Sequence, residues 1–189
     1  TALNDPRFNV RFEAIISIAR MDSNDQLIEA LTQVLNGTEL SLTVMAAWAL
    51  GRIGDEKALP ALRDGLNSDY RSIRAHCARA LGTLNDETII PLLHGRLKVE
   101  EDKGLQMAYA SSLASMGAVE TIPTIFIVME QTDNDKARME LALAMTRPVG
   151  DENHFVSLLR QIGSDMGTAL AQDLMRLKTR LTKHDETSF

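Results

Sequence analysis

Apolar residues recur along this chain at helical spacing, and the helical segments themselves recur. The segments Ile18-Ala19-Arg20-Met21, Leu50-Gly51-Arg52-Ile53, Leu81-Gly82-Thr83-Leu84, Leu113-Ala114-Ser115-Met116 and Met145-Thr146-Arg147 begin 32, 31, 32 and 32 residues apart. Three positions before each stand Ile15, Ala47, Ala78, Ala110 and Ala142, and one position before stand Ser17, Ala49, Ala80, Ser112 and Ala144. Small residues in a fixed column mark the place where neighbouring helices approach closely. Eight positions before come Val10, Leu42, Ile73, Leu105 and Ala137, and four before come Ala14, Ala46, Cys77, Tyr109 and Leu141, so an apolar stripe runs along each first helix.

Each first helix meets a breaker at Gly54-Asp55, Asn85-Asp86 or Gly117-Ala118, where Gly or Asn can adopt the left-handed conformation that ends a helix. A second helix follows, with the pattern Leu59-Pro60-Ala61-Leu62 and Leu66, Ile90-Pro91-Leu92-Leu93 and Leu97, then Ile122-Pro123-Thr124-Ile125 and Met129. Proline there marks a helix start, where a missing N–H costs little. The first and last repeats match after one inserted loop residue, as Ile28, Leu31 and Leu35 and as Phe155, Leu158 and Ile162. The pattern predicts an all-α fold, an α-α superhelix (a right-handed solenoid) of about five helical hairpins. The repeats run over about 3–37, 38–66, 67–101, 102–132 and 133–163 of one domain, 1–189. Leu170, Leu174, Leu177 and Leu181 add a C-terminal helix over about 167–184, with Thr168 as its N-cap, which predicts a cap for the last hairpin. Its alternatives are a dimerising or a membrane-surface helix.

The segment from Asn67 to Gly82, Asn-Ser-Asp-Tyr-Arg-Ser-Ile-Arg-Ala-His-Cys-Ala-Arg-Ala-Leu-Gly, resembles the HEAT-like repeat of the phycobilin lyase family, and Asp5-Pro6-Arg7-Phe8-Asn9-Val10-Arg11 resembles the opening of another copy. The resemblance covers about residues 3 to 163. It implies the solenoid fold, and a function among scaffolds, appendages of larger proteins and chromophore lyase subunits. The chain also resembles the cytoplasmic C-terminal HEAT region of some bacterial major-facilitator transporters. That resemblance implies a piece of a longer protein and accords with a chain that opens at Thr1 in mid-pattern.

Composition narrows the function classes. The chain is 44% hydrophobic and 4% aromatic, a composition suited to close-packed helices. A net charge of −6 argues against a general nucleic-acid binder, although Arg176, Lys178, Arg180 and Lys183 make the C-terminal segment basic. The longest apolar run, Val44 to Leu50, is far short of the roughly 20 residues a membrane helix needs. One cysteine permits no internal disulfide, and a cytoplasmic setting is expected, either as a free protein or as the water-facing part of a membrane protein.

Candidate chemistry is sparse. Arg11, Arg74 and Arg138 share the position seven before the reference residue, where the other repeats carry Thr43 and Gln106. The family resemblance implies that such an arginine braces the preceding turn, and with Asp5, Asp69 and Asp133 at hand they are expected to be structural, a ladder for phosphate or acidic peptide being the sharper alternative. His76, His94, His154 and His184 have no metal-ligand spacing, and Cys77 on the buried stripe is expected to be inert. No cofactor, metal or catalytic residue is predicted. Trp48 and Met45 are expected in the core or in packing between repeats, rather than in a ligand cage. The run Ile125 to Met129 is apolar on every side of its helix, so Phe126, Ile127 and Val128 are the candidate partner-binding residues, unless the C-terminal helix or a second copy of the chain covers them. The predicted function is a non-catalytic scaffold that holds a protein or peptide on its concave, second-helix face, with a transporter appendage as one setting. The alternative is a subunit of a chromophore or cofactor lyase.

Overall fold

The computed structural model describes residues 2–145, and its backbone contacts divide the chain into two compact units, Thr1–Leu93 and His94–Phe189. The expected second helix of the last repeat, the C-terminal helix, His154 and His184 lie outside the described residues. Among the described residues the fold is all-α, with helices α1 (Phe8–Ile18), α2 (Asp25–Leu35), α3 (Leu40–Ile53), α4 (Leu59–Gly65), α5 (Arg71–Thr83), α6 (Ile90–Val99), α7 (Lys103–Ser115), α8 (Ile122–Glu130) and α9 (Asp135–Ala144). They alternate between first and second helices of a hairpin, as the repeat requires, in the manner of the α-α superhelix class.

In the first unit the first helices α1, α3 and α5 pack in series, while α2 and α4 lie against α3 and α5 and against each other. In the second unit α7 packs on α8 and α9. The reference column forms the core: Leu50, Leu81, Leu113 and Met145 are fully buried, as are Ala47, Ala78 and Ala110 three residues earlier. The small residues let backbones touch. A Cβ placed on Gly51 would stand 2.7 Å from Ala80 Cβ and 2.8 Å from its Cα, so α3 and α5 approach as closely as a side-chain-free residue allows.

The helix breaks fall where the sequence puts them. Gly54, Asn85 and Gly117 adopt φ of 80°, 55° and 72°. After each, a single 3-10 turn (Glu56–Ala58, Glu87–Ile89, Val119–Thr121) leads into the second helix, and Pro60, Pro91 and Pro123 are the second residues of α4, α6 and α8. The first repeat solves the same problem differently, with the Asn24 side chain accepting a hydrogen bond from the Leu27 N–H at 3.0 Å to cap α2.

Candidate interaction surfaces

The column seven before the reference residue braces each of the first four repeats against the loop that precedes it. Arg11 Nη1 donates to the carbonyls of Asp5 at 2.7 Å and Pro6 at 3.1 Å, and Arg74 Nη1 donates to those of Ser68 at 2.7 Å and Asp69 at 3.0 Å. Thr43 Oγ1 donates towards Gly37 O at 3.3 Å, and Gln106 Nε2 donates to Glu100 O at 2.5 Å. In all four the acceptor lies six residues back. Arg138 Nε reaches the carbonyl of Met129 at 3.3 Å, nine residues back. Arg, Thr and Gln serve one role because the loop supplies a carbonyl that any donor of suitable reach can satisfy. The acceptors for Arg11 and Arg74 are main-chain carbonyls and not the carboxylates of Asp5 and Asp69. The carboxylate that Arg11 does hold is Glu39, at 2.6 Å from Nη2, which ties α1 to the entrance of α3. Gln106 meets the carbonyl at a cost, since its Oε1 is buried without a partner.

A second set of polar contacts ties successive hairpins of the first unit together through the turns. Asp86, nearly fully buried, accepts Arg63 Nε at 2.7 Å and Nη2 at 2.9 Å, together with the Thr88 hydroxyl at 2.7 Å. The Arg63 guanidinium holds the Asp86 carboxyl below its ordinary value. One repeat earlier the Asp55 carboxylate accepts from Ser23, and Lys57 pairs with Asp25.

Cys77 is fully buried among apolar neighbours, and that desolvation pushes its thiol up to about 12, so no thiolate is available near neutral pH. Burial, reinforced by Lys98, lowers His94 and keeps its ring neutral at pH 7, where Nε2 shares a 3.0 Å hydrogen bond with Thr124 Oγ1 on α8. His76 Nδ1 donates to the Ser72 carbonyl of its own helix at 2.8 Å. No group of three His, Cys, Asp or Glu able to hold a metal ion occurs among the described residues. No helix among them is long and apolar enough to cross a membrane.

The apolar run of α8 divides between core and surface. Phe126 and Val128 are each only 4% exposed, whereas Ile127 is 53% exposed. The expectation that Phe126 and Val128 face a partner is therefore corrected: Ile122, Ile125, Phe126 and Met129 follow the i, i+3, i+4, i+7 pattern of one buried face, and Val128 flanks it. Ile127 alone of the three stands on the outer face, one turn from Thr124. The expectation for Trp48 is also corrected. It is 37% exposed, and the Arg52 guanidinium lies over its ring at 5.8 Å from the centroid. The buried side of α3 is taken by Leu42, Ala46, Ala47, Ala49 and Leu50, which leaves Trp48 on the opposite side. Met45 beside it is half-buried.

The loops that enter the first helices enclose two open clefts in the first unit. One, of about 410 Å³, is bounded by Leu3 to Pro6, Arg11 and Gly37 to Glu39; the other, of about 340 Å³, by Asn36 to Thr38, Ser68 and the exposed Tyr70. Both are walled by the loops that Arg11, Thr43 and Arg74 brace.

Comparison with known proteins identifies the repeat. The family model described as HEAT repeats matches residues 1–74 and again 65–146. No curated protein sequence matches the chain. Among solved structures, a chain of the complex of CpcE and CpcF of phycocyanin lyase from Nostoc sp. PCC7120 superposes with a TM-score of 0.66 at 22% identity. The match covers 84% of this chain and 66% of that one, so this chain spans just under two thirds of its neighbour's length, and the likeness is one of fold.

Proposed function

Since the chain belongs to the HEAT-repeat family, we propose that it is a non-catalytic scaffold that binds a protein or peptide partner along the exposed faces of its second helices. The observation that carries this reading is how the chain uses its polar groups. The buried carboxylate, the loop-bracing donors and the shifted thiol each serve packing within or between repeats, while an apolar side chain, Ile127, is left exposed on a second helix. Stacked hairpins let surface residues vary without disturbing the core, so binding energy comes from area and a few anchors.

The test compares the chain with Ile127→Asp for retention of partners from a bacterial lysate, with mass spectrometry of each eluate. Ile127→Asp leaves the fold intact and loses the partner, whereas Phe126→Asp, which buries a charge, loses helical structure altogether. Equal retention by Ile127→Asp removes α8 as the contact surface.

A second reading, a subunit of a chromophore lyase, draws support from the fold likeness to a chain of the phycocyanin lyase complex. The neighbour's complex contains two different proteins, which favours a protein partner under either reading. A bilin-dependent absorbance shift on mixing the chain with free chromophore would favour the lyase reading, and an unchanged spectrum would favour the scaffold.

A further inference from the structure

The outer ridge of the first helices in the first unit carries a feature that the second-helix reading does not use. Among the described residues, ion pairs join Arg7, Arg11, Lys57 and Arg63 to carboxylates, but Arg20, Arg52 and Arg79 have none, although the chain as a whole carries six more negative charges than positive. All three are exposed, and repeat register brings them around the exposed Trp48.

The geometry follows from the close approach of α3 and α5. Gly51 of α3 meets Ala80 of α5, and Arg52 and Arg79 are their immediate neighbours in sequence. In side-by-side first helices running in the same sense, the residue after one contact point and the residue before the other turn to the same side of the groove. Arg52 and Arg79 therefore flank one groove on the side where Trp48, one turn before Arg52, is exposed. The same relation one repeat earlier sets Arg20, the counterpart of Arg52 beyond α1, next to Trp48, because α1 packs on α3 as α3 packs on α5. The Arg52 guanidinium stacks on Trp48, and repeat register sets Arg20 and Arg79 on the same side of the neighbouring helices.

We propose that this Trp48, Arg20, Arg52 and Arg79 cluster is a docking site for an acidic peptide segment that carries an apolar side chain. Guanidinium groups with no carboxylate partner of their own match an acidic segment in paired hydrogen bonds, and an exposed Trp supplies the flat apolar anchor that binding hot spots favour. Three arginines on an otherwise acidic protein are too few and too local for a phosphate backbone, which needs a longer basic track. The site goes beyond the second-helix reading and lies on other helices, so its failure leaves the Ile127 result untouched.

Trp48 is the only tryptophan, so its emission reports the site directly. The full chain is titrated with a fluorescein-labelled peptide of repeated Glu-Asp-Phe-Leu, followed by anisotropy, and with the unlabelled peptide, followed by Trp48 emission. Saturable binding, a shift in Trp48 emission, and at least roughly tenfold weakening in the Arg52→Ala/Arg79→Ala double variant are expected. Trp48→Ala is expected to weaken binding to a similar degree with unchanged far-ultraviolet circular dichroism. Should Trp48→Ala lose helix, Trp48→Phe keeps the fold and keeps weaker binding. Several results overturn the proposal: no binding of the peptide, binding unaffected by the arginine changes, equal binding of a Lys-Lys-Phe-Leu peptide, or tighter binding of heparin. A concentration-dependent dimer in sedimentation that Arg79→Glu abolishes overturns it in favour of a second copy of the chain.

Discussion

At the residue scale, Gly51 and Cys77 each occupy space that no larger or charged group can share. Glycine inside a helix costs roughly 1 kcal/mol relative to alanine, so Gly51→Ala would be stabilising if propensity decided the outcome. Here the added methyl meets Ala80 Cβ at 2.7 Å and backbone at 2.8 Å, neither of which is the far end of a flexible side chain. Overpacking of this kind costs about 1–3 kcal/mol, so the net effect is a loss, and the exchange Gly51→Ala/Ala80→Gly restores most of it. Urea midpoints of the single and double variants check this, and a Gly51→Ala midpoint above the parent's would refute the close approach. Cys77 lies against Gly65 in the same unit. Its thiol, raised from 9.0 to about 12 by burial, is protonated in the folded state over the working range. The folded state therefore favours the protonated thiol, and the stability this contributes is complete below pH 9 and declines between 9 and 12. Iodoacetamide labelling at pH 8 is expected to be negligible in the native protein and rapid in urea. Fast native labelling would mean that the α4–α5 packing opens readily.

At the scale of elements, the link from α4 to the turn after α5 is the polar contact with the most at stake. Asp86 is buried and its partner Arg63 is partly exposed, so Arg63→Met leaves a carboxylate held only by the hydroxyl and backbone N–H of Thr88. Breaking a buried pair is strongly destabilising because it leaves an uncompensated charge, and solvent at Arg63 moderates the loss, so a clear drop in the urea midpoint is expected. The sign with pH follows from the lowered Asp86 value. The ionised carboxylate stabilises the fold above the ordinary carboxyl range near 3.8, and that contribution is lost as pH falls below it. Stability of the parent should fall on acidification below about pH 4, with a shallower fall in Arg63→Met. Equal slopes in pH-dependent urea unfolding would show that Asp86 gains nothing from its partner. This contact was only half legible in the sequence: the repeat column made Asp86 visible, but nothing local links it to a residue 23 positions earlier. Helix stripes, breaks and proline starts were legible because they follow from spacing and backbone chemistry that are fixed within one repeat. The two misplaced aromatics were readable from the columns. Position for position, Trp48 aligns with exposed Arg79, which marks a solvent-facing site. Ile127 aligns with exposed Asp64 and Gly95, while Phe126 aligns with the half-buried Arg63 and His94. An apolar run read in isolation hides that difference, whereas its repeat-mates expose it.

At the scale of the whole molecule, a repeat chain is held by neighbours and not by a central core, so stability is a sum of local terms. Leu81 on α5 is fully buried in the first unit, and Leu113 on α7 is fully buried in the second. Leu81→Ala should cost about 2–5 kcal/mol through lost transfer energy and the cavity left behind. How that loss spreads is the informative part. Trp48 reports the first unit alone, while far-ultraviolet circular dichroism averages over every helix. If each hairpin leans chiefly on adjacent hairpins, Leu81→Ala lowers the urea midpoint seen by Trp48 more than the midpoint seen by circular dichroism, and Leu113→Ala reverses the order. Coincident shifts in both probes for both variants would mean that the chain melts as one cooperative block.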